Sequence, residues 1–127
     1  MDLAQIKRQL TTVAAERAAI EVVWLYGSRA RGDANEQSDV DIACAFDMGV
    51  VREQEVEELR FSLEQALKHQ VSIVDINKAP TPLALNIIEE GIVLYSKSDL
   101  RQHAEESRVW SRWENVKHEA NRFPNEL

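Results

Sequence analysis

The sequence is short of cysteine, of positive charge and of long apolar runs, and each shortage excludes something. Its one cysteine, Cys44, has no partner within the chain, so no internal disulfide staples the fold. The three histidines, His69, His103 and His118, share no metal-ligand spacing with it, which argues against structural zinc. Only 15 Lys and Arg stand against 22 Asp and Glu, a net charge of −7. That balance is wrong for a sequence-independent grip on phosphate backbones, so no direct nucleic-acid binding is expected. The opening MDLAQIKRQL is charged rather than apolar, so neither a signal peptide nor a spanning helix is expected; a cytoplasmic location without a membrane partner follows by default. No internal repeat, low-complexity tract or Gly/Ser linker divides the chain. What is present, 127 residues of which 44% are hydrophobic and 29% charged, suffices for one compact domain with a true core.

Leu3, Ile6, Leu10 and Val13 recur at helical spacing and predict an amphipathic helix from Leu3 toward Ile20. VVWLY, residues 22–26, is a short β-branched and aromatic run ending at Gly27, and reads as a buried strand. Val40, Ile42 and Cys44 alternate with Asp39, Asp41, Ala43 and Ala45, which predicts a second strand with carboxylates on one face only. Residues 53–70 repeat apolar positions at helical spacing beneath a glutamate-rich outer face, and VSIVDI, residues 71–76, forms a third strand. Thr81 and Pro82 read as the N-cap and first position of a short helix ending near Gly91. Residues 92–95 form a fourth strand, and helical pattern returns from about Asp99 to Phe123. The order of elements predicts an α/β (α+β) domain, a small mixed sheet of about four strands covered on one side by helices, followed by a C-terminal helix.

The stretch that carries chemistry runs from Gly27 to Asp41. Gly27 ends a strand and, lacking Cβ, permits close backbone approach to a ligand; Ser28 follows where a helix can begin, offering a hydroxyl and free amides to a phosphate. Asp39 and Asp41 lie one pleat apart on one strand face, so both carboxylates can converge on Mg²⁺, with water and phosphate oxygens completing its shell. Asp75 interrupts an otherwise apolar strand, where a charge is costly unless paired or metal-bound. If that strand lies beside the one bearing Asp39 and Asp41, three carboxylates meet on one face, enough for two ions about 3.5–4 Å apart and in-line phosphoryl or nucleotidyl transfer. Arg29 and Arg31 either contact a triphosphate or offset neighbouring acids. Ser38 either joins the nucleotide site or merely leads into the strand. Cys44 falls on the face opposite the aspartates and reads as a small core residue.

Gly27-Ser28, ten residues, then Asp39-x-Asp41 resembles the signature of the nucleotidyltransferase superfamily that includes DNA polymerase β. More closely, the chain resembles the minimal nucleotidyltransferase (MNT) antitoxins of HEPN/MNT toxin–antitoxin pairs, over roughly residues 1–96 and including the run GSRARGDA. The resemblance implies a polymerase β-like palm in which Gly27 and Ser28 hold ATP, Asp39 and Asp41 ligate Mg²⁺, and Asp75 is the third catalytic acid, sharing a metal and serving as or near the general base. It further implies two ions, a HEPN toxin partner in a hetero-oligomer, and silencing of that ribonuclease by transfer of AMP to one of its tyrosines. Two other functions stay open: blocking the toxin by binding alone, and nucleotidyl transfer to a small hydroxylated molecule such as an aminoglycoside. The chain is short for the second of these, because little is left after the sheet to shape an acceptor pocket. Residues 97–127 form a separate helical extension in which Trp110, Trp113, Val116, Ala120 and Phe123 make an apolar stripe. That stripe either packs on its own sheet or docks on a partner.

Overall fold

In a computed structural model, which describes residues 1–47, 49–50 and 52–122, the chain forms a four-stranded mixed sheet and five helices. Helix α1 (Leu3–Ala15) starts from a reciprocal cap in which Gln5 N donates to Asp2 Oδ1 at 2.8 Å and Asp2 N donates to Gln5 Oε1 at 3.0 Å. Its buried face is Ile6, Leu10 and Ala14, spaced by one helical turn. The helix is shorter than its periodicity predicts, because Ile20 is fully buried as the first rung of strand β1 (Ile20–Tyr26), opposite Phe46 of β2 (Val40–Phe46).

Between these strands lies the one-turn helix α2 (Ser28–Arg31). Helix α3 (Arg52–Leu67) leads to β3 (Val71–Asp75), helix α4 (Thr81–Glu90) to β4 (Ile92–Ser96), and α5 (Asp99–Arg122) follows. The strand order is β3-β2-β1-β4, with β2 and β3 parallel and the other pairs antiparallel. Each strand therefore presents alternate residues to two packed faces.

The expectation that helices cover one side of the sheet is corrected, since both faces are covered. On one face Val23, Leu25, Val40, Ile42, Cys44 and Phe46 pack against Ile6 and Leu10 of α1 and Leu59 and Leu63 of α3. On the other, Val22, Trp24, Ala43 and Ala45 meet Ala84 and Ile87 of α4 and Val109 of α5. Helix α4 also begins one residue earlier in its capping frame than predicted: Pro80 is the N-cap, and the Thr81 hydroxyl accepts from Arg112 Nη2 at 3.1 Å. Arg112 donates further to the carbonyls of Ala79 at 2.7 Å and Ile76 at 3.3 Å, which ties α5 to the β3–α4 connection. Glu105, fully buried on α5, is held by Arg101 at 2.8 Å and Arg108 at 3.3 Å. Of the predicted stripe, Trp110 (39%) and Val116 (47%) are exposed and Trp113 is half-buried, while Val109, outside the stripe, is buried. Phe123 lies outside the described residues, as does the side chain of Ala120. Among the described residues no helix is long and apolar enough to cross a membrane.

Gly91 closes α4 with its amide donating to Ile87 O at 2.8 Å, and a Cβ there would fall 2.3 Å from that oxygen and 3.2 Å from Leu25 O. Both obstacles are backbone. Gly91→Ala is expected to cost about 1–3 kcal/mol by overpacking, seen as a lower midpoint in urea with an unchanged slope.

Candidate active site

Strand β1 ends at Tyr26, and Gly27 turns the chain with φ 74° and ψ −155°. That left-handed φ favours glycine, and space demands it too: a Cβ on Gly27 would lie 2.4 Å from Asp41 Oδ2. The Gly27 carbonyl accepts from the amides of Ala30 and Arg31, both at 3.1 Å, and winds α2 tightly. At the head of α2 the amides of Ser28 and Arg29 have no carbonyl within the helix to bond. The turn thus brings backbone donors to the same place as a carboxylate.

The antiparallel register pairs Tyr26 with Asp41, so the end of β1 and the beginning of β2 coincide. Asp39 and Asp41 share a face by strand alternation, Asp39 exposed and Asp41 half-buried. Burial holds the Asp41 carboxyl above the ordinary aspartate range; the charge of Asp39 pushes it the same way, and Arg31 partly offsets both. The Tyr26 phenol is likewise raised, by burial first and by Asp41 second. Two carboxylates crowded in this way, beside a glycine that leaves room at Asp41 Oδ2, fit one hard divalent cation that shares its shell with water or phosphate.

The loop between α2 and β2 is pinned from below. Arg29 donates to the Ser38 carbonyl through Nε at 3.0 Å and Nη2 at 2.7 Å, and to Asn35 O at 3.3 Å. His69 Nε2 lies 2.7 Å from the same Ser38 oxygen and 3.1 Å from Arg29 Nη2. The Ser38 hydroxyl accepts from Asn35 N at 3.0 Å, and Val40 N donates to Gln70 O at 3.0 Å. Arg29 and Ser38 are thereby engaged in fixing the segment that delivers Asp39. Arg31, exposed and 3.3 Å from Asp33, is the arginine whose charge reaches Asp41. His69 is not among the expected site residues; spaced 31 residues from Ser38, it gives no local signal of its role.

Asp75 requires a correction. Strand β3 does lie beside β2, but the register pairs Asp75 with Cys44, which puts it on the face of Val71 and Ile73, opposite Asp39 and Asp41. There its carboxylate is buried, 3.2 Å from Arg52 Nη1 of α3, and accepts from Asn77 N at 2.9 Å. Its main-chain oxygen accepts from Lys78 and Ala79 at 2.9 and 3.0 Å, so Asp75 organises the β3–α4 turn. Among the described residues no three His, Cys, Asp or Glu side chains gather to hold a metal. A cavity of about 420 Å³ flanks Asp75, lined by Arg52, Val56, Val74 and Leu83, away from the aspartate pair. Cys44 is buried as expected, and burial pushes its thiol far up.

The sequence model of the polymerase beta nucleotidyltransferase family matches residues 8–100. No curated protein matches the sequence. A solved minimal nucleotidyltransferase is 31% identical, with a TM-score of 0.63 over 72% of this chain and 95% of its own. A toxin–antitoxin complex with AMP-PNP contains a chain of the same fold (TM-score 0.78, 20% identity, 94% of this chain and 96% of that one). So does the complex of a tri-AMPylated Shewanella oneidensis HEPN toxin with its MNT antitoxin (TM-score 0.72, 18% identity, 95% and 94%). The chain belongs to the polymerase beta nucleotidyltransferase family, and its fold is that of the MNT antitoxins.

Because the Asp41 carboxyl is raised in the folded protein, its protonated form favours folding, and that stability is lost as pH rises through the raised value. Asp41→Asn is therefore expected to melt above the wild type at neutral pH without added metal, the gap closing as pH falls toward the ordinary aspartate value of 3.8. Thermal melts between pH 3 and pH 8 (roughly the range over which an aspartate changes charge) check this.

Proposed function

We propose that this protein is the antitoxin of a HEPN/MNT pair and transfers AMP from ATP to a tyrosine of its HEPN partner. The observation that carries the reading is the contact of the Gly27 turn with Asp41, which joins a backbone phosphate seat to a carboxylate pair. In the transfer, the acceptor oxygen bonds to the α-phosphorus of ATP, the bond to the bridging oxygen breaks, and pyrophosphate leaves. Gly27 and Ser28 hold the triphosphate through amides and hydroxyl, and Arg31 neutralises it from the rim. Asp39 and Asp41 would hold Mg²⁺, which supplies charge neutralisation at the phosphates. Arg29, Ser38 and His69 fix the loop that delivers Asp39 rather than meeting the nucleotide.

The protein partner is favoured over a small acceptor because the aspartates stand on an open ledge, Asp39 being exposed. An acceptor carrying its own surface suits such a ledge. Residues 1–96 serve as the catalytic unit. The extension 97–127 does two jobs: it packs on the domain through Glu105 and Val109, and its exposed side, with Trp110 and Val116, docks on the toxin.

The test is incubation with ATP, Mg²⁺ and the HEPN protein of the neighbouring gene. Mass spectrometry is expected to find AMP on a tyrosine, and Asp39→Ala/Asp41→Ala to lower the rate by about 100-fold or more. An unmodified partner, still neutralised by the double variant, would establish stoichiometric blocking instead.

A further inference from the structure

Resting on the nucleotidyltransferase reading, we infer that this site works with a single divalent cation, because the residue beside Asp41 in the sheet is Ser72 and not a carboxylate. The register leaves no ambiguity: Val40 pairs with Val71, Asp41 with Ser72 and Ile42 with Ile73. Val40, Val71, Ile42 and Ile73 all belong to the core under α1 and α3, so Asp41 and Ser72 share the opposite face. Across that face the row reads Ser72, Asp41, Tyr26, with a hydroxyl on either side of the carboxylate.

Two-metal transfer needs carboxylates shared between ions about 3.5–4 Å apart. Asp39 and Asp41 suffice for one Mg²⁺, which takes one or two carboxylates and fills its shell with phosphate and water. The other acids nearby are committed: Asp33 to Arg31, and Asp75 to Arg52 on the far face. Adjacent strands lie about 4.8 Å apart, so position 72 is where a third carboxylate would reach an ion shared with Asp41. Ser72 is exposed, and changing it disturbs no core contact.

The consequence falls on the proton. As the acceptor oxygen bonds to the α-phosphorus and pyrophosphate departs, the hydroxyl proton goes to solvent hydroxide, giving water, since Asp39 and Asp41 are taken up by the ion and the neighbouring position on β3 is Ser72, which has no carboxylate to take it. Transfer then rises with pH through the neutral range, toward the ionisation of a tyrosine hydroxyl near about 10.

The measurement is Mn²⁺ titration of the full chain with a saturating non-hydrolysable ATP analogue, with bound ions counted by electron paramagnetic resonance. Wild type and Ser72→Ala are expected to bind one ion per chain and nucleotide, and Ser72→Asp to bind two. Ser72→Asp is also expected to transfer faster, by roughly 100-fold, with a flatter pH profile; Ser72→Glu serves as the second variant should it fold poorly. Two ions in the wild type, or one in both acidic variants, would overturn the inference while leaving nucleotidyl transfer intact. A folded wild type that binds no nucleotide would instead defeat the nucleotidyltransferase reading, and this inference with it.

Discussion

The antiparallel ladder between β1 and β2 is the constraint on which the rest of the molecule depends. Its pairing of Tyr26 with Asp41 brings the end of one strand to the start of the other, and only there does the Gly27 turn meet a carboxylate. The same ladder runs through the middle of the sheet, where Trp24 and Ala43 bury one face and Leu25 and Ile42 the other. Stability and site geometry are therefore one set of contacts. A one-residue slip would exchange the faces of every side chain on β2, sending Asp41 toward α1 and α3 and Ile42 to the face of α4 and α5.

Alternation made much of this readable from the residues. The polar and apolar halves of Asp39–Phe46 assign both the strand and its site face, and Gly27 with Ser28 marks the turn. The same reasoning carries a parity that separates Asp75: Val71, Ile73 and Asp75 share one pleat, and Ser72 and Val74 the other. What the residues do not carry is which pleat of β3 faces which pleat of β2. That depends on the parallel register across the α3 connection, a long-range pairing. Buried charge at Asp75 has a different cause from the one expected, an ion pair with Arg52 and a turn cap, and both causes look alike in sequence.

Contacts between distant residues are the other source of difference. Arg29 and His69 meet on the Ser38 carbonyl although they lie 40 residues apart, and nothing local to either announces it. Covering of both sheet faces has a similar origin. Each helix has an apolar stripe, but the side on which it lands follows from the crossover direction: α1 and α3 to one face, α4 and α5 to the other. The acidic excess proves to be divided, with glutamates of α3 forming surface pairs and the aspartate pair left facing itself.

The halves of the site also come from neighbouring stretches of chain, joined by residues 28–38 and held by that segment's own hydrogen bonds. Bringing them together costs the entropy of closing one short loop, a term that grows only slowly with length and owes nothing to α4, β4 or α5. The ledge is consequently a modular piece of the fold. Sequence drift in the C-terminal helix can remodel what the domain docks against while the aspartates stay in register, so recognition and chemistry are free to diversify at different rates.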